Sequence, residues 1–156
     1  MSRVASGHRP AHPAPRARRP APAAAVPPAV KGLTAPETDV LVRAVAAEAR
    51  GESPAVWAGV AQTIINYARR THRAIRSVAR SSYLSSNFDA NRRFYTMPLA
   101  QIPNQAGIRA AVAVAAAGQS PIGRRSHFHD VRIASTPWEN RDTRMAIGRM
   151  VFYEPR

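Results

Sequence analysis

The chain has 156 residues, which suits one domain and is short for two of ordinary size. Its 23 basic residues against 9 acidic ones give a net charge of +14. That balance excludes an acidic disordered activator and points to a polyanionic partner or substrate, whether DNA, RNA, anionic lipid or a bacterial envelope polymer. The absence of cysteine excludes disulfide frameworks, thiolate metal sites and cysteine nucleophiles.

Residues 1–32 hold 7 of the 14 prolines and six basic residues, with no acidic one. They show no hydrophobic period and cannot bury enough surface to offset chain entropy, so they read as a disordered Pro/Ala/Arg-rich basic arm. The remaining residues, 33–156, carry the other 17 basic and all 9 acidic groups, a balance of +8. Only Lys31 is a lysine; so strong an arginine excess beside abundant alanine also fits a GC-rich genome. The stretch from Ala21 to Val30 is interrupted by Pro22, Pro27 and Pro28, so it makes no signal-peptide core, and Arg18-Arg19 is a weak twin-arginine signal. No run approaches the roughly 18 apolar residues of a membrane-spanning helix. The expectation is a chain without a standard export signal and without a transmembrane segment.

Thr34-Ala35-Pro36-Glu37 fits a capping box with an early proline, predicting a helix that runs to about Arg50 and stops at Gly51. Ser53-Pro54 opens a second helix, to Arg70, with Trp57, Val60, Ala61, Ile64 and Ala68 as its apolar face. A shorter helix is expected around His72 to Arg80. From Ser81 to Gln105 the pattern dissolves into serine, asparagine, proline and aromatics, which predicts a long loop outside the core. Gly107 to Ala117 reads as an alanine-rich helix ended by Gly118. Ser126 to Val131 and Arg149 to Tyr153 read as strands of a small sheet. The expected fold class is α+β, mainly helical, with a small C-terminal β element.

On a wheel of about 100° per residue, Leu41, Ala44, Val45 and Glu48 share one side of the first helix, and Asp39, Arg43 and Arg50 the other. Glu48 is thus a carboxylate on the face that packs inward, where its charged form is disfavoured and its pKa rises. That is the state a general acid needs to protonate a glycosidic oxygen near neutral pH. The competing reading has Glu48 at the core edge, paired with an arginine. Glu52 follows one turn later, beyond Gly51, either coupled to Glu48 or capping the next helix. In the tail, strand alternation puts His127 and His129 on one face and Phe128 on the other. His127, His129 and Asp130 suit polar lining of a groove better than a metal centre, since no third well-spaced ligand is evident. Trp138 reads as core ahead of a platform for a sugar ring. No nucleophile elbow, phosphate-binding glycine loop, zinc-protease motif or recognisable nucleic-acid-binding motif is present, and no cofactor is called for.

The run Leu41-Val42-Arg43-Ala44-Val45-Ala46-Ala47-Glu48-Ala49-Arg50-Gly51-Glu52 resembles the opening motif of the SleB-like cell-wall hydrolases, the spore-cortex-lytic group. Val60-Ala61-Gln62-Thr63-Ile64-Ile65-Asn66-Tyr67, Ser126-His127-Phe128-His129-Asp130, Pro137-Trp138 and Ile147-Gly148-Arg149-Met150-Val151-Phe152-Tyr153 resemble that family's later segments, in order. The likeness spans about residues 38–154, with departures at Tyr67 (arginine in the family), Asp130 (asparagine) and His127 (an aromatic). The resemblance implies a lysozyme-like fold and lytic transglycosylation of peptidoglycan between N-acetylmuramic acid and N-acetylglucosamine. It makes Glu48 the single catalytic acid/base. Glu52, Asn66, Tyr83, Ser85, Phe128, His129 and Trp138 are the residues it suggests for substrate binding, with Asn66 resting on the likeness alone. A phage-encoded or virion-associated enzyme reaching the wall from a particle or through a lysing host fits the missing signal and the basic arm. The alternative is a non-catalytic protein on the same scaffold, its arm holding nucleic acid or packing among virion proteins.

Overall fold

The computed structural model describes residues 30–84 and 89–156; the rest of the basic arm, and Ser85 with its three successors, lie outside them. The chain forms α1 (Ala35–Ala49), α2 (Pro54–Arg70), α3 (Ile75–Ala79), α4 (Asp89–Thr96) and α5 (Gln105–Ala116), then β1 (His127–Asp130), β2 (Met145–Ile147) and β3 (Met150–Tyr153). It is mainly helical with one small sheet. No described helix is long and apolar enough to cross a membrane.

The start of α1 is set locally. Thr34 Oγ1 accepts from the Glu37 amide and the Glu37 carboxylate accepts from the Thr34 amide at 2.8 Å, closing the expected capping box. The folded part takes in Val30 as well, whose amide donates to Thr38 Oγ1 and whose side chain is buried. α1 is then surrounded: Leu41, Val42, Ala44, Val45 and Ala46 are fully buried, on more than one face. The face carrying Asp39 and Arg43 is not free, contrary to the two-sided wheel. Arg43 pairs with Asp39 and donates from Nη1 to the carbonyls of Phe94 and Met97, at 2.8 and 2.6 Å, so it caps the end of α4.

The expected loop from Ser81 to Gln105 is a correction. α3 continues through a single π turn at Arg80–Leu84, and α4 and a 3₁₀ turn at Leu99–Gln101 follow. Leu84, Phe94 and Ile102 from this stretch are buried in the common core. These helices are too short to display a hydrophobic period, and isolated helices of such length are not stable; packing against α1 makes them.

The sheet has the order β1-β3-β2, antiparallel throughout, with Phe128 opposite Phe152 and His127 opposite Tyr153. Opposed residues share a face, so Phe128 and Phe152 look one way, and His127, His129 and Tyr153 the other, as alternation predicted. β2 was not foreseen; it joins β3 through a two-residue turn in which Gly148 takes φ +56°. The sheet docks on α2 at Gly59, where an added Cβ would lie 2.6 Å from the Phe152 ring.

Candidate active site

Glu48 occupies the last turn of α1, and the end of that helix is pinned. The buried Trp57 of α2 donates its indole N–H to the Ala49 carbonyl at 2.7 Å, satisfying one of the acceptors a helix end leaves open. α5 admits the indole because residue 107 is glycine: a Cβ there would sit 3.0 Å from the ring. The backbone beside the carboxyl is therefore held by three helices.

The Glu48 side chain is mostly buried, and its partner is not the arginine that the residues alone allowed. Asn91 of α4 donates its amide to Oε1 at 3.1 Å. Burial pushes the Glu48 pKa from 4.5 up to about 7, and the Asn91 hydrogen bond offsets only part of this. The C-terminal end of a helix dipole also disfavours an anion at this position. Asn91→Ala removes a contact that favours the carboxylate, so the alkaline limb of a pH–rate profile is expected to move to higher pH. An unmoved limb means that the amide does not act on Glu48.

A cavity of about 240 Å³ opens here, lined by Glu48, Ala49, Arg50, Gly51, Glu52 and Arg149. Glu52 shares it with Glu48 but has a different partner: Arg149 donates from Nε to its Oε1 at 2.8 Å. The β2–β3 turn lies against this carboxylate: an added Cβ on Gly148 would be 3.0 Å from Glu52 Oε2. Two carboxyl groups in one cavity thus differ, one facing a neutral amide and the other a guanidinium.

Tyr83 is near enough to Glu48 to feel its charge. Burial, with the charge of Glu48 and the neighbouring phenols of Tyr67 and Tyr153, pushes its pKa above the ordinary phenol range, so it stays a neutral hydroxyl. Its ring stacks on Phe128 with centroids 5.8 Å apart and an interplanar angle of 14°, and Phe128 in turn leans on Phe152. Glu48, Glu52, Tyr83 and Phe128 are thereby drawn into one neighbourhood.

Three other expected residues sit elsewhere. Asn66 donates from one amide nitrogen to the carbonyls of Gly123 and Arg125, both at 2.8 Å, and accepts from Gln62, so it ties α2 to the loop before β1. His129 is buried with both ring nitrogens engaged, by the Asp130 carbonyl at 2.8 Å and by Glu139 Oε2 at 3.4 Å; Arg144 completes that network 2.8 Å from Oε1. Trp138 is 55% exposed, which corrects its reading as core, and its carbonyl holds the Arg156 amide. The 131–138 segment around it runs over the surface, with Val131 and Ile133 also exposed. Ser85 falls outside the described residues. Asn91, Trp57 and Arg149 were missed as site residues. Asn91 was hidden in the stretch read as loop, and nothing in sequence pairs Arg149 with a glutamate 97 residues earlier.

Compared with protein-family models, curated proteins and solved structures, the chain matches none of them.

Proposed function

We propose that the chain cleaves the glycan strands of peptidoglycan as a SleB-like lytic transglycosylase on a lysozyme-like scaffold, with Glu48 as its acid/base. The observation that carries this reading is a carboxyl group raised to about 7, hydrogen-bonded by a neutral amide, at the wall of an open cavity. Near neutral pH such a group is part protonated and can also accept a proton, which one residue must do in both halves of the reaction.

In that reaction Glu48 gives its proton to the glycosidic oxygen as the bond to the muramoyl C1 breaks. The muramoyl 6-hydroxyl then attacks C1, and the Glu48 carboxylate takes the hydroxyl proton. The acid is regenerated and the product is a 1,6-anhydro sugar; no second protein nucleophile is needed. Glu52, positioned by Arg149, places a second carboxyl group on the wall of the same cavity. The stacked Tyr83 and Phe128 offer an apolar surface of the kind on which sugar rings pack.

Mass spectrometry of the soluble products from purified peptidoglycan tests the reading. Anhydro-muropeptides released by the wild type and not by Glu48→Gln support it; reducing-end products from the same residue turn the reaction into hydrolysis. Release undiminished in the variant removes Glu48 from the chemistry. In this reading the enzyme is phage-encoded or virion-associated, and the +8 of residues 33–156 draws it to an anionic envelope. Activity on purified walls is then expected to fall between 0.01 and 0.15 M salt, where the screening length shrinks from about 30 to about 8 Å. A flat salt profile removes that role for charge.

A further inference from the structure

A second, larger cavity, of about 510 Å³, lies at the other end of α2, lined by Asn66, Arg69, Arg70, Arg124, Ser126 and Glu154. Its arginines differ from several of those around the sheet and α1. Arg43, Arg125, Arg132, Arg144 and Arg149 all reach a carboxylate or a carbonyl of the fold. Arg69, Arg70 and Arg124 donate to no protein acceptor among the described residues; Arg70 only lies over the Tyr67 ring, 5.7 Å from its centroid. Three unpaired guanidiniums facing one cavity are a set of charge-assisted donors without an anion.

The arrangement is built into the backbone. The Asn66 amide grips the carbonyls on either side of Arg124, and Gly123 takes φ +60° to let the loop turn there. The loop arginine is thus held against the arginines of the α2 terminus. Glu154 completes the lining and forms no ion pair among the described residues. A phosphodiester polymer would meet repulsion at that carboxylate and offers its backbone no N–H to satisfy it. A peptide bearing carboxylates together with amide or ammonium groups satisfies both signs.

The cavity is connected to the Glu48 neighbourhood through aromatic rings. Ser126 Oγ lies 3.2 Å from His127 Nδ1, and the His127 ring meets Tyr67 at 5.5 Å and Tyr153 at 5.6 Å. Both phenols are close enough to Tyr83 to act on its ionisation.

We infer that this cavity is the subsite for the stem peptide carried by the muramoyl residue, its carboxylates taken by Arg69, Arg70 and Arg124 and its N–H groups by Glu154. The inference rests on the peptidoglycan reading and gives it a specificity, for peptide-bearing strands over stripped ones.

The test uses the full chain with Glu48→Gln, which leaves ligands uncut. It is titrated with N-acetylglucosaminyl-N-acetylmuramoyl tetrapeptide and with the same disaccharide lacking its peptide. The peptide-bearing ligand is expected to bind about tenfold tighter, the scale of charge-assisted contacts. Adding Arg70→Gln and Arg124→Gln is expected to bring the ratio near one, while Arg109→Gln, a charge loss on α5 away from this cavity, is expected to leave it at tenfold. Equal affinities in the parent protein overturn the inference. So does a preference that survives the paired substitution while binding of a DNA duplex collapses, which makes the cavity a nucleic-acid site. The ratio is read without cleavage, so a wild type that cuts no walls sinks the catalytic reading while a tenfold ratio upholds the subsite.

Discussion

Glu48→Gln is expected to lower the release of fragments from purified walls by about 10²–10⁴-fold, the contribution of a positioned general acid/base. The wild-type rate is expected to be lost as pH rises through about 7, because the first step consumes the protonated form of Glu48. A companion effect on stability has a defined sign. The folded-state pKa of Glu48 is raised above 4.5, so the fold favours the protonated group. That stabilisation is complete below pH 4.5 and is lost as pH rises through 7; it amounts to about 3 kcal/mol. Glutamine carries no charge to bury, so the variant is expected to exceed the wild type in stability at pH 8 and to match it near pH 4. Chemical denaturation at the two pH values measures this. An inactive variant with no gain at pH 8 would mean that Glu48 is not held against its charge.

The largest stability effect is expected at the contact between sheet and helices. Phe152 is fully buried, faces Gly59 of α2 and leans on Phe128, so Phe152→Ala should cost about 3–5 kcal/mol as it empties that volume. The same junction should resist the opposite change. Gly59→Ala places a methyl 2.6 Å from the Phe152 ring and 3.2 Å from Ile122, for a net cost of about 2 kcal/mol after the helix-propensity gain of alanine. In a Phe152→Leu background that cost should shrink, because the two substitutions share one space. Additive costs in the double variant would place the strain of Gly59→Ala elsewhere.

The parts of the fold that sequence makes legible are those with local signals. The Thr34–Glu37 capping box, Pro54 at the head of α2, and Gly118 with its left-handed φ after α5 mark the long helices to within two residues. Alternation likewise separates Phe128 from His127 and His129. What is hidden depends on contacts made at a distance. α4 carries a strongly polar run in which, among the described side chains, only Phe94 is buried, and its helicity rests on Arg43, some fifty residues earlier, gripping its terminal carbonyls. The candidate site divides the same way. The helical wheel turns Glu48 inward, but the amide that faces it comes from that concealed helix, and the partner of Glu52 from the β2–β3 turn. Asn66 and His129 illustrate the converse: polar residues whose contacts go to backbone, to a neighbouring amide or to a buried carboxyl group look, in sequence, like ligands in waiting.

The two tryptophans occupy opposite environments, one sealed between α1, α2 and α5 with its N–H on the residue after Glu48, the other out in solvent at 55% exposure. Their fluorescence therefore separates cleanly: an aqueous quencher reaches Trp138 and not Trp57. In a Trp138→Phe protein the remaining emission comes from a single shielded indole one peptide unit from the carboxyl group. The molecule then carries its own optical gauge of that helix end, readable during a titration without a label.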